Sequence, residues 1–293
     1  MTDTSVPTEA HHRPTILVTG ATGNLGREVV EYLAERDVLV RCLVRNLPEP
    51  RTGVEWTVGD LTEPGDVRAA VEGVDGVFLI WPLLDPKPAE PVVTELAVAG
   101  LRVVYLSSAA IDDTTPGQSD PIIQVHAELE ALLYGAGVNP IVLRSDTLAS
   151  NARGWKAQLR DGDVVIGPDV ARTPVVDERD VAAAVVTALL APRHELDQDP
   201  YLLTGPESLT RAHQVDRLGT ALQRPLRFAP VSADMARARM LADGRSRPLV
   251  EALISAAVHR PASDRITDHI ERLTGQPAGT FTKWAIDHAA EFH

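Results

Sequence analysis

Lysine is nearly missing from these 293 residues, occurring only at Lys87, Lys156 and Lys283. With a formal net charge of −13, the chain offers no polybasic patch for a phosphate backbone or an anionic membrane surface. Nucleic acid and membranes are therefore not expected as partners. The single cysteine, Cys42, rules out internal disulfides and cysteine-based zinc sites. The longest apolar run, Val181 to Pro192, is too short to span a bilayer. No G-x-S-x-G nucleophile elbow is present, and no His/Asp/Glu cluster has metal-ligand spacing. The opening MTDTSVPTEAHHRP lacks an apolar signal core, so residues 1–13 are expected to be a flexible lead-in, with His11-His12 a flexible pair and no metal site. At 44% hydrophobic and 24% charged, the chain reads as an acidic, cytoplasmic globular protein.

From Thr15 onward, β-rich runs alternate with helical ones. Strand candidates lie at 15–20, 38–45, 54–58, 76–80, 102–108 and 140–144, and helical spacing at 24–36, 65–73, 88–99 and 121–135. Apolar runs joined by helices fit a parallel sheet buried on both faces, with right-handed crossovers. The expected fold class is α/β: a doubly wound, six-stranded parallel Rossmann sheet over residues 14–150. After Arg144 the rhythm changes. A short strand at 163–168 precedes another within 172–191, which leads into a helix capped by Asp177. The stretch 201–210 adds a strand and a turn, with Ser208 or Thr210 opening the next helix. Residues 151–293 are expected to form a smaller, mostly helical substrate-binding portion, with 172–191 returning to the Rossmann sheet. Met235, Met240 and Leu241 read as core or pocket lining.

The stretch TGATGNLG, Thr19 to Gly26, sits between the apolar TILV and the helix-like NLGREVVEYLAER. That strand–turn–helix setting strengthens an otherwise weak G-x-x-G-x-x-G match into a dinucleotide cradle. Gly20 permits the tight turn, Gly23 lets backbone approach a pyrophosphate, and Gly26 allows helix and strand to pack closely. Thr22, Asn24 and Leu25 complete the turn, whose amides meet the anion at the helix N-terminus. The second strand ends at Arg45, where an NAD-binding site would carry Asp or Glu. Arg45 suits the 2′-phosphate of NADP, so NADP(H) is expected over NAD(H); a surface arginine at a strand end is the alternative. Asp60 and Leu61 close the third strand beside the expected adenine, although Gly59-Asp60 also reads as plain turn chemistry. Ile80, Trp81 and Pro82 close the fourth strand and Ser107 the fifth, where such a sheet presents its crevice. Trp81 equally reads as a packing residue.

These segments resemble the NmrA-like branch of the atypical short-chain dehydrogenases/reductases. The likeness extends through LVR, GDL, GVDGVFLIWP, VVYLSSAA, HAELEALLYGAGVNPIVLRSDTLASN, VDERDVAAAVVTALL and YLLTGPESLTRAHQVDRLGTALQRPLRF, covering the chain from Pro14 onward. It implies an NAD(P)-binding Rossmann protein. The branch holds reductases of quinones and of natural-product intermediates. It also holds non-catalytic dinucleotide sensors that act through a partner protein.

Ordinary members of that family use Tyr-x-x-x-Lys, the lysine lowering the tyrosine pKa for proton transfer. Here the residues four before each lysine are Leu83, Ala152 and Gly279, so the relay is missing. Alignment places Ile122 at the tyrosine position and His126 at the lysine position. His126 either substitutes as a proton carrier, with Glu130 one turn later to orient it, or hydrogen-bonds the cofactor without transferring protons. Ser107 is the second catalytic candidate, for the nicotinamide end or a substrate carbonyl; a backbone-satisfied serine is the alternative. Asp112 and Asp113 read as solvated loop residues, and Ser145-Asp146 replaces the family's proline after the sixth strand. The expected function is NADPH-dependent reduction of a small, apolar, quinone- or enone-like metabolite, a quinone taking its protons from water. A redox sensor, or a redox-neutral isomerase or cyclase, are the alternatives, and the oligomeric state stays open.

Overall fold

The computed structural model describes residues 12–196 and 199–293. Of the expected flexible lead-in, residues 1–11 lie outside the described part, His11 among them. His12 is anchored rather than free: its Nε2 sits 3.0 Å from Asp75 Oδ1.

Six strands alternate with four helices in the first half. They are β1 (Thr15–Thr19), α1 (Asn24–Ala34), β2 (Leu39–Val44), β3 (Val54–Val58), α2 (Pro64–Val71), β4 (Gly76–Leu79), α3 (Ala89–Ala99), β5 (Arg102–Ser108), α4 (Pro121–Gly135) and β6 (Ile141–Ser145). The second half runs α5 (Lys156–Arg160), β7 (Val164–Pro168), β8 (Thr173–Pro174), α6 (Glu178–Leu190), β9 (Tyr201–Leu203), β10 (Ser208–Leu209) and α7 (Arg211–Leu222). It ends with β11 (Arg227–Val231), α8 (Ala233–Ala242), α9 (Arg247–His259), α10 (His269–Thr274) and α11 (Phe281–Asp287). The central sheet has the order β3-β2-β1-β4-β5-β6-β9, with every pairing parallel. Strand order reverses between β1 and β4, so a crevice opens at their carboxyl ends.

Strand parity divides the core into two layers, because successive side chains point to opposite faces. Ile16, Val18, Val104 and Leu143 face α1 and α6, while Leu17, Val103 and Tyr105 face α2, α3 and α4. A third cluster, including Leu159, Val215, Leu218, Phe281 and Trp284, forms the heart of the smaller portion, where β7 and β11 pair in parallel. Asp177 caps α6 as expected, accepting from the Arg179 amide. Thr210 rather than Ser208 opens α7, in a capping box with His213.

The structure revises three expectations here. The sheet has seven strands, because Tyr201–Leu203 pairs with β6. Three residues are too few to show a period, so sequence pattern could not place this strand in the sheet. Within 172–191, the helix α6 packs on the sheet beside α1, but β8 pairs antiparallel with β10 outside it. Met240 and Leu241 pack against Ala236, Val250 and Ile254, whereas Met235 is 57% exposed and is not core. Among the described residues no helix is long and apolar enough to cross a membrane.

Candidate active site

The turn between β1 and α1 is built around two glycines. Gly20 has φ +64°, a left-handed conformation that a side chain disfavours, and a β-carbon there would press on Ile80 at 3.2 Å. A β-carbon on Gly26 would lie 2.1 Å from the Gly20 carbonyl oxygen, so the first turn of α1 touches the β1 turn backbone to backbone. The Gly23 amide donates to that same oxygen at 2.9 Å. Thr19 locks the turn to β4: Oγ1 donates to the Phe78 and Ile80 carbonyls and accepts from the Ile80 amide at 2.8 Å. Gly23 is the N-cap of α1, where no side chain caps the helix and no acidic residue occupies its first turn. Unsatisfied helix amides with no competing carboxylate fit a pyrophosphate. Thr22 and Gly23 are exposed toward this place, while the Leu25 side chain is buried in the core and leaves only its amide to offer.

Around this cradle the other expected contacts sort themselves. Arg45 follows β2 as an exposed side chain with no hydrogen bond or ion pair among the described residues, and its charge attracts Asp60. An arginine left free beside the cradle fits the 2′-phosphate. Asp60 Oδ1 accepts from the Thr62 amide and hydroxyl, both at 2.9 Å, which lowers its pKa and makes it first a turn anchor. Leu61 is half-buried against the α2 layer. Trp81 is 5% exposed and its indole donates to the Asp85 carbonyl, so its side chain is packing. Ile80 and the exposed Pro82 stay at the crevice.

At the β5 end, the partners differ from those read in sequence. Glu130 does not orient His126. It accepts from Ser107 Oγ at 2.5 Å and binds Arg144 through Nε at 2.9 Å and a terminal nitrogen at 2.7 Å. Arg144 also makes a bidentate pair with Asp113 at 2.6 and 2.7 Å, so Asp113, exposed to solvent as expected, is also tied to the cluster. Asp112 keeps to its own loop, accepting from Thr114. Parity and register explain the assembly: Ser107 pairs with Arg144 across the sheet, on the face that α4 covers. Ser107 is 3% exposed, and its proton is committed to Glu130.

His126 instead meets Tyr105, whose Oη lies 3.0 Å from its Nδ1. Tyr105 is fully buried, and burial keeps its hydroxyl protonated well above the ordinary range. No other acceptor among the described residues serves that hydroxyl, so donation to Nδ1 satisfies both groups and leaves the proton of a neutral imidazole on Nε2. Burial, with Arg260 nearby, pushes the His126 pKa down to about 4. His126 is therefore a neutral N–H donor at pH 7.

A cavity of about 530 Å³ opens at the carboxyl ends of β5 and β6. Its apolar wall includes Leu106, Ile111, Ile122 and Leu148, and His126 and Asp146 supply polar groups. Asp146 accepts from the Thr147 amide at 2.6 Å, and burial raises its pKa. Tyr105, Arg144 and Asp146 were missed as site residues. Only the last left a signal in sequence, by standing where the family has proline.

A model of the NAD(P)H-binding family matches residues 20–192. The chain is 36% identical over 285 residues to the (4-alkanoyl-5-oxo-2,5-dihydrofuran-3-yl)methyl phosphate reductase of Streptomyces griseus, covering 94% of this chain and 99% of that protein. It is 29% identical over 286 residues to the NAD(P)H azoreductase of Xenophilus azovorans, with 94% and 99% covered. The Citrobacter triphenylmethane reductase complexed with NADP(H) shares the fold, with a TM-score of 0.75 at 22% identity over 94% of this chain and 99% of that one.

Proposed function

The chain belongs to the NAD(P)H-binding family, among atypical short-chain reductases, and from that premise we propose that it reduces a small apolar acceptor of the quinone or enone class with NADPH. The observation that carries this reading is the cavity at the carboxyl ends of β5 and β6, walled in part by Leu106, Ile111, Ile122 and Leu148, where His126 offers a neutral N–H and Asp146 a half-buried carboxyl among further polar groups such as Asn151 and Arg260. Bound in the cradle, the reduced nicotinamide would supply a hydride. Gly20, Thr22, Gly23, Asn24, Leu25 and Gly26 would hold its pyrophosphate by backbone, Arg45 its 2′-phosphate, and Asp60, Leu61, Ile80 and Pro82 its adenosine side. His126 Nε2–H would position the nicotinamide or an acceptor carbonyl, and Ser107 would stiffen the floor through Glu130. A quinone can take its protons from water. An enone needs one at the carbon beside its carbonyl, and Asp146, whose pKa burial raises, would give it. Saturable loss of nicotinamide absorbance with quinones and enones tests the reading, and Asp146→Asn should slow enones more than quinones. Tight NADP binding with no turnover across a broad acceptor screen would overturn it in favour of a sensor.

Cofactor choice follows from Arg45. Charge-assisted hydrogen bonds to a 2′-phosphate are worth about 1.5–3 kcal/mol, so NADPH should bind roughly 10- to 100-fold more tightly than NADH. Arg45→Ala should remove most of that difference in a calorimetric titration. Equal affinities in the unaltered protein would sink the assignment.

His126 makes a pH prediction. The folded protein holds its imidazole neutral down to about pH 4, against an ordinary value of 6.5. Protons therefore bind the unfolded chain first, and this group's contribution to stability is lost as pH falls from 6.5 toward 4. The full loss amounts to at most about 3 kcal/mol. The ring resonances of His126 should stay flat from pH 8 to 5.5 and titrate only below, whereas a midpoint near 6.5 would refute the buried tautomer. His126→Phe should lose less stability over the same window, and should raise the KM for NADPH more than it lowers kcat.

A further inference from the structure

The active-site cavity continues past Ile122, Thr147 and Thr173 into a chamber of about 180 Å³, and past Trp155 and Val170 into a third of about 420 Å³. Arg211, at the start of α7, faces both outer chambers. Its guanidinium makes one hydrogen bond, to the Pro168 carbonyl at 2.9 Å, and no ion pair among the described residues. Gly167 leaves room for it: a β-carbon there would stand 3.1 Å from the same nitrogen. Burial disfavours this charge and lowers the pKa, while the exposed, unbonded Asp169 offsets only part of the effect. Arg260, the second cation of the middle chamber, is instead bonded to Asp120. Three residues along α7, on the same helix face, Gln214 is 8% exposed, and its side-chain amide has no hydrogen-bond partner among the described residues. Arg239 and Arg245 line the outermost chamber with no ion pair among the described residues, against the one carboxylate of Asp243 in that lining.

A half-buried guanidinium lining two chambers, with four N–H groups that no described residue accepts, offers a charged fork that an anion can complete. We propose that Arg211 and Gln214, with Arg239 and Arg245 at the rim, form a subsite for a phosphate monoester carried by the acceptor. The acceptor is then an amphiphile. Its reducible head lies at His126 and Asp146, its apolar middle lies against Trp155 and Leu253, and its phosphate lies at Arg211. A phosphate monoester brings three acceptor oxygens and a charge of about −1.5 to −2, which suits a planar guanidinium, an amide and two further arginines better than a carboxylate's two oxygens do. This assignment rests on the reductase reading and names its substrate class.

The test uses the full chain with two acceptors, a long-chain enone alcohol and its phosphate monoester, together with calorimetric titration of phenyl phosphate and phenol. The ester is expected to show a KM roughly 10- to 100-fold below that of the alcohol. In Arg211→Met that advantage should collapse toward unity, Arg211→Lys should restore part of it, and the Kd for NADPH should not move. Phenyl phosphate should bind the unaltered protein in preference to phenol and lose that preference in Arg211→Met. Should that variant misfold, Gln214→Leu serves the same purpose, with a smaller loss expected. Turnover of both acceptors at equal KM, with phenyl phosphate binding indifferent to Arg211 and Gln214, overturns the subsite and leaves the reductase standing. Arg211-dependent phenyl phosphate binding without turnover of either acceptor supports the subsite, and it is the reductase reading that falls.

Discussion

Gly26→Ala is expected to weaken NADPH binding by roughly 100- to 10,000-fold, the equivalent of two charge-assisted backbone hydrogen bonds lost. The new methyl would stand 2.1 Å from the Gly20 oxygen and 2.9 Å from the Ala21 α-carbon, both of them backbone. No rotamer relieves such an overlap, so either α1 or the β1 turn must shift by about an ångström. Those two pieces hold the amides that would face the pyrophosphate, and they lose their common geometry together. Gly23 supplies the contrast, because a β-carbon there would meet the Gly20 oxygen at 3.2 Å, tight but tolerable. Gly23→Val should therefore fold and fail for a different reason, its branched side chain occupying the ligand's place. Titration calorimetry on variants that keep their circular dichroism decides the matter. Unchanged NADPH affinity in both would place the dinucleotide elsewhere.

Arg144→Met should cost about 3–5 kcal/mol of folding stability, because it strands a buried carboxylate. Arg144 and Glu130 are 7% and 9% exposed in their side chains, and Glu130 would keep only the Ser107 hydroxyl as donor. Burial opposes the arginine's charge, yet its bonds to Asp113 and Glu130 hold its pKa above the ordinary value. The double variant Arg144→Met, Glu130→Leu removes both charges and should recover most of the loss. Urea unfolding at pH 7 measures both, and a single variant within about 1 kcal/mol of the unaltered protein would mean that the pair contributes little, as exposed pairs do. Because Asp113 belongs to the loop over the cavity, Arg144→Met should also loosen that loop.

What could be read along the chain was whatever a short window contains. Apolar runs of four to seven residues announced β1 to β6, and the glycine spacing beside β1 announced the cradle, because turn, helix start and strand are consecutive. The missing Tyr-x-x-x-Lys was legible for the same reason, being a spacing. His126 was found only as an occupant of an empty position. Its partner was misjudged because one helical turn favours Glu130, while Tyr105 lies 21 residues away on a strand.

The sequence by itself thus determined the doubly wound class, the dinucleotide turn and the absence of the usual proton relay, since local propensity and period settle each of them. Tertiary structure alone decided which groups share a face and which lose their water. Strand parity brought Tyr105 beneath His126, and sheet register set Ser107 against Arg144. A three-residue strand became the sheet's edge because β6 offered it a partner. Asp146 and Arg211 became unusual only when the smaller portion folded over them, because desolvation depends on everything nearby in space and on nothing nearby in the chain.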